Sequence, residues 1–554
     1  MIALGACRDG ESPGSPEVDE VEAQVREVAA PDDSREPIVI AVRSLPTTLD
    51  PIDPLDPWGQ RIVDDLLFEG LTRADPSGAP WASMALAERC EVQDVGRGEA
   101  VACRMRTDAR FHDGAPVTID DVLYSLSLWT DRRAGELRRD HGLGSLAAVE
   151  RGGGPEGEDD RWVTLRFSAS EPLALERIAA MKIVPERLHR NAEAFAAAPV
   201  GSGPLKLSAQ SEEQLVLERA FDRGPSAIIL RVYRDGAEAL SQARRGVVHV
   251  IPELARVHIP DELTKPAMAA RFQAFVVTPA RYDLLVYNTR EAGLKSQPLR
   301  AVIDAVIPRE AIAEQVHHAP TLVLAAPVDT RAPAEIDLAA LAAGEEAGLD
   351  PVFLEPPLGD EARARIAEER RIAADAALTA LDWPLERGFR RRSTGHLRIP
   401  LLWDGADGAA TATVQLLRDA LRGLGIPAPS VTASWAYLQK PLRAGTFDAA
   451  LMRLSLGDQT DLTPYFHSRG DQNFTSVADP ELDAALSDYR VAETPAQRQA
   501  ARARVIDRLA ALRVVSVLYA PIGVTLISRR IAGLEFVDDL PRLDRLELHA
   551  LARP

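Results

Sequence analysis

A chain of 554 residues is too long for one hydrophobic core, so about two to four domains are expected. Hydrophobic residues at 46% and charged residues at 27% are ordinary globular values and exclude extended disorder over most of the chain. The formal net charge of -19, with no compensating basic domain, excludes a nucleic-acid backbone as partner, and short basic runs such as the one from Arg390 read as solvated faces.

No run reaches the roughly 18–20 apolar residues that span a bilayer. At the start, Leu4-Gly5-Ala6-Cys7 looks like a bacterial lipobox, in which cleavage leaves a cysteine that carries lipid. The charged and apolar parts of such a signal are missing, so residues 1–36 read as a truncated lipoprotein signal remnant and an acidic linker suited to a membrane tether. A chance cysteine near a disordered terminus is the alternative.

The structured chain is expected to open with an alternating strand from Glu36 that ends in a turn at Asp50-Pro51. Ile62, Leu66, Leu67 and Leu71 follow at helical spacing. Cys90 and Cys103 flank two short strands around a Gly-containing turn, and folding about Gly96 and Arg97 sets them opposite each other. That predicts a cross-strand disulfide and an oxidising compartment, with two buried free thiols as the alternative. In "FHDGAPVTIDDVLYSL", Asp113-Gly114 is a turn, and Thr118 caps a helix whose third residue is Asp121. The run from Gln297 predicts a helix of about five turns, and 338–386 is mostly helical and solvent-facing. A strand-helix-strand unit from Leu397 marks the chain as α/β, and a long helix hands over to strands near the end.

Chemistry is sparse. The ten histidines make no metal-ligand spacing, and the pair His317-His318 reads as a surface loop. No nucleophile elbow or phosphate loop is present, and the turn at Asp404 lacks the twelfth-position Glu of a calcium loop. No catalytic set, metal or cofactor is therefore expected. Asp458 and Asp461, three apart, are the one acidic constellation, suited to acid-base work in a cleft, to holding a ligand's cation, or to a solvated turn.

Several segments in order resemble the extracytoplasmic solute-binding proteins of dipeptide/oligopeptide ABC importers, family 5. They are Thr48 to Pro51, Leu67 to Leu71, Phe111 to Leu126, Pro199 to Leu207, Tyr287-Asn288-Thr289 with Arg300 to Ile312, and Phe466, Asn473 and Asp479 to Leu486. The resemblance implies two α/β lobes joined by a hinge, with an extra domain inserted in the first lobe. It divides the chain into 37–78 (lobe I), 79–195 (inserted domain), 196–285 (lobe I), 286–513 (lobe II) and 514–554 (return to lobe I).

The implied function is capture of a peptide, or a related solute, between closing lobes and delivery to an ABC permease and its ATPase. The implied setting is a lipid-anchored monomer in the periplasm or on the outer face of a bacterial membrane, not an enzyme. Asp458 falls where the family holds the ligand's α-ammonium, with Asp461 and Ser455 as further ligand residues; Ser455 stands where a Trp is usual, and Leu462 where a Pro is. The same resemblance admits a nickel chelate or an oligosaccharide as cargo. A hydrolase built on Asp458 and Asp461, or the sensor half of a transcription regulator, would each need further elements that the chain does not display.

Overall fold

The computed structural model describes residues 36–549 apart from 54, 95–97, 132–133, 155–159, 329–330, 354–357, 394 and 458–459. Three sheets organise them. The largest has eight strands, in the order 334–336, 272–277, 523–528, 250–251, 38–42, 227–232, 214–219 and 205–210. Its strand Ile38–Val42 pairs in parallel with Ala227–Val232 on one side and with Val250–Ile251 on the other. All five of its residues are buried, in place of the expected alternation, because both faces of the sheet are covered. The second sheet orders 430–433, 401–404, 449–455, 281–287 and 515–519, and the third orders 87–94, 99–105, 162–167 and 146–151. The molecule is thus a two-lobed α/β fold of the periplasmic-binding-protein kind, with the third sheet carried on the first lobe.

Sheet membership moves the lobe boundaries away from those read from sequence. The strand Arg281–Tyr287 pairs with Ala449–Ser455 and Val515–Tyr519, so 281–285 and 515–519 lie in the second lobe. Residues 334–353, read as part of lobe II, instead add a strand to the eight-stranded sheet and pack Ile336, Leu338 and Phe353 into its core. A strand's partner is a long-range choice, and local periodicity carries no record of it. One crossing between the lobes is at 278–280 and another at 520–522, where Ala520 donates to Thr321 Oγ1 at 3.0 Å.

Three separate sequence motifs meet at one joint between the first lobe and the third sheet. His112 Nδ1 accepts from the Gly201 amide at 3.1 Å, and Nε2 lies 3.1 Å from the Gly203 carbonyl, which fixes the neutral tautomer with its proton on Nε2. Gly203 donates to the Leu67 carbonyl at 2.9 Å. A Cβ on Gly201 would sit 1.9 Å from the Leu67 oxygen, and one on Gly203 2.2 Å from the Leu66 oxygen, so both glycines are needed for backbones to approach this closely. Thr118 and Asp121 complete a reciprocal capping box at the start of the helix Ile119–Thr130.

Burial pushes the His112 imidazole down to about 4. An unfolded histidine titrates near about 6.5, so the neutral ring contributes its full stability above that value and loses it as pH falls toward 4. His112→Ala is expected to lower the thermal midpoint at pH 7.5. Its deficit against wild type should shrink between pH 6.5 and 4, as seen in melts stepped across that range.

Two further expectations are corrected. The five-turn helix is broken at Pro308, which cannot donate to the preceding turn: Gln297–Ala305 is followed by Arg309–Ala311 and a π-helical turn, Ile312–His317. Arg390, expected on a solvated face, is 1% exposed, and its guanidinium donates to the carbonyls of Leu424 and Trp383 at 2.8 and 3.1 Å.

Candidate functional site in the interlobe cleft

In open α/β sheets ligands sit outside the carboxyl ends of parallel strands. In the second lobe those ends belong to Leu401–Asp404 and Ala449–Ser455, beside the crossing at 278–280. Here Arg281 lies opposite Ser455, and Asp283 opposite Arg453, so alternate residues set all four on one face. Asp283 is buried and accepts two bonds from Arg453, 2.6 Å from Nε and 3.0 Å from Nη2, while Nη1 of the same guanidinium donates to Asp407 at 2.7 Å. His317 Nε2 lies 3.1 Å from Asp283, and its ring stacks on Tyr519 with centroids 3.7 Å apart. Burial alone would raise the Asp283 carboxyl, but His317 and Arg453 outweigh it and hold it below the usual carboxylate range. His317 is therefore held in a π-helical turn against the second sheet, not in a surface loop, while His318 is the exposed partner in a left-handed turn, φ 52°.

The opposite rim is built where the inserted region meets the helices Pro480–Arg490 and Pro495–Leu512. Asp461 caps the short turn Thr463–Phe466 by accepting from the Thr463 amide at 2.9 Å. Its other oxygen pairs with Arg177 and lies 3.6 Å from Arg490 Nε. The Asp461 carboxylate is thus engaged by the chain's own guanidiniums, not free for a ligand cation or for acid-base work. Asp458 lies outside the described residues, as does Cys7. The described residues next to Asp458 and its neighbour are gripped by buried Arg502, which donates to the Gly457 carbonyl at 2.6 Å and to that of Thr460 at 3.0 Å. Ser455 is exposed at the end of its strand. Leu462, in place of the usual proline, is buried, and the proline comes two residues later at Pro464.

Cys90 and Cys103 are joined by a disulfide across directly opposed positions of the third sheet. Among the described residues, no group of three or more His, Cys, Asp or Glu side chains could hold a metal ion, and no helix is long and apolar enough to cross a membrane. The sequence reading missed Trp81, Arg177, Arg490 and Arg498, which line the rim. Each has a partner more than 280 positions away in the chain, and no local spacing announces such pairs.

A family model described as bacterial extracellular solute-binding proteins, family 5 middle, matches residues 83–475. A search of curated proteins finds no match. Among solved structures, the oligopeptide-binding protein AppA of Bacillus subtilis, in complex with a nonapeptide, is similar at TM-score 0.59 and 18% identity. That match covers 93% of this chain and 99% of AppA. AgaA from Agrobacterium tumefaciens R10, in complex with agropinic acid, is similar at 0.60 and 20% over 93% and 99% of the two chains. NikZ from Campylobacter jejuni, in complex with Ni(L-His), is similar at 0.55 and 16% over 93% and 100%.

Proposed function

The chain belongs to the bacterial extracellular solute-binding proteins of family 5, and from that premise we propose that it is the lipid-anchored receptor of an ABC importer, closing its lobes over a peptide and presenting it to a membrane permease. Members of this family are extracytoplasmic binding components of ABC transporters. The observation that carries the reading is the pair of sheets joined along one edge by crossing strands, with side chains of both lobes meeting at the far rim. Such a hinge can close over a solute and shield it from water.

Extended peptides are held through main-chain groups that every sequence shares, which suits a receptor of broad tolerance. In this reading Asp458 takes the ligand's ammonium, Ser455 leaves the wall beside it open, and Cys7 carries the lipid. Arg281, opposite Ser455 on the same face, adds a cation to the cleft floor. The similar structures hold a nonapeptide, agropinic acid and a nickel–histidine complex, so a non-peptide solute such as a nickel chelate or an oligosaccharide is the second reading.

Native mass spectrometry of the protein purified from its own host, followed by release of what it carries, separates the two. A ladder of short peptides is the expected result. A single non-peptide solute would keep the importer reading and retire the peptide.

A further inference from the structure

The rim of the cleft contains a contact made wholly by the chain. Trp81, buried and held at φ 62° in a backbone region unfavourable to bulky residues, donates its indole Nε1 to the Ala492 carbonyl at 2.9 Å. Two residues earlier the Ala79 amide donates to the Glu493 carbonyl at 3.0 Å. The guanidinium of Arg498, 4% exposed, lies 4.2 Å over the Trp81 ring and 4.6 Å over the Tyr489 ring, and its Nη2 reaches both carboxylate oxygens of Glu176 at 2.7 and 2.9 Å. Leu173, Ala492 and Ala501 complete a small apolar cluster around these rings.

Beside it Arg177 pairs with Glu171 and Asp461, and Arg490 pairs with Glu171. Glu171, Glu176 and Asp461 therefore meet Arg177, Arg490 and Arg498 in a charge-balanced set. Trp81, Glu171, Glu176 and Arg177 come from the first lobe and its insertion; Tyr489, Arg490, Arg498 and Asp461 come from the second. Separating the lobes would strand buried charges from their partners and strip the stacked Arg498 guanidinium of its Trp81 face, leaving only Tyr489 of its own lobe.

We infer that this clasp holds a closed population in the free protein, with Arg498 between Trp81 and Tyr489 as its centre. The solute then meets a protein already biased toward closure, and its apparent affinity is set in part by how firmly the clasp holds. The inference rests on the proposed function only for that effect on affinity; the clasp itself needs no solute.

Small-angle scattering of the full chain, free in solution, tests it. The wild type is expected to scatter as the closed particle, and Trp81→Ala or Arg498→Met to expand it. In the wild type alone, hydrogen exchange gives a second test, because a shut clasp keeps the Ala79 amide protected. An expanded free wild type, an Ala79 amide exchanging at the unprotected rate, or two variants as compact as wild type would each overturn the clasp. With solute in hand, each variant should bind roughly tenfold more weakly, in proportion to the closed fraction it has lost. If no solute is found at all, the functional reading fails while scattering and exchange still decide on the clasp.

Discussion

Asp458→Ala is expected to weaken solute binding by roughly 100-fold or more while leaving the thermal midpoint within a degree or two of wild type. Removing one partner of a desolvated charge pair typically costs about 2–5 kcal/mol, because the other charge remains in the closed cleft without a counterion. Titration calorimetry with a peptide released from the native protein would measure the loss. The same peptide acetylated at its amino group should lose comparable affinity for wild type and lose little more for the variant, since both changes delete the same pair. Unchanged affinity in Asp458→Ala would remove Asp458 as the anchor. Arg502 supports the test: its bonds to Gly457 and Thr460 leave the backbone on either side tied down when the carboxylate is removed.

Arg300→Ala is expected to be the most damaging substitution outside the cleft, costing about 3–5 kcal/mol in denaturant unfolding of the second lobe. Arg300 is 4% exposed and its guanidinium is spent entirely on carbonyls: Nε donates to Arg513 at 2.7 Å, Nη1 to Leu294 at 2.6 Å and Lys295 at 3.2 Å, and Nη2 to Leu512 at 2.5 Å. Two of those carbonyls close the helix Pro495–Leu512, where a cation also complements the helix dipole. Alanine would leave four acceptors without this donor and a cavity where the stem had been. A loss of unfolding free energy under about 1 kcal/mol would show that water replaces the guanidinium at this helix end.

The two arginines of the segment Arg300 to Ile312 show what kind of information the sequence held. Arg300 and Arg309 belong to a pattern that marks the family, and both turn out to tie local helices to distant backbone: Arg309 donates to the Val517 carbonyl at 2.7 Å. The segment around Phe111 behaves likewise, since His112 fastens the glycine turn at 201–203. Such motifs are legible because they place a special residue at a special backbone point. They identify the fold and say little about the cargo.

What the sequence determined by itself was therefore local and modular: the α/β character, the capping box at Thr118 and Asp121, the opposed cysteines and the ordered joints of a two-lobed receptor. Each is announced by residues close together in the chain or by a turn that only certain residues can make, even where, as at His112, the contact it makes is distant. Tertiary structure alone decided which strands share a sheet. It returned 334–353 to the first lobe, buried Arg390, and brought His317 against Tyr519. It also committed Asp461 to Arg177, a residue 284 positions away. Pairings between distant charges and rings leave no periodicity behind, because their energy comes from mutual burial and desolvation, which exist only once the lobes have met.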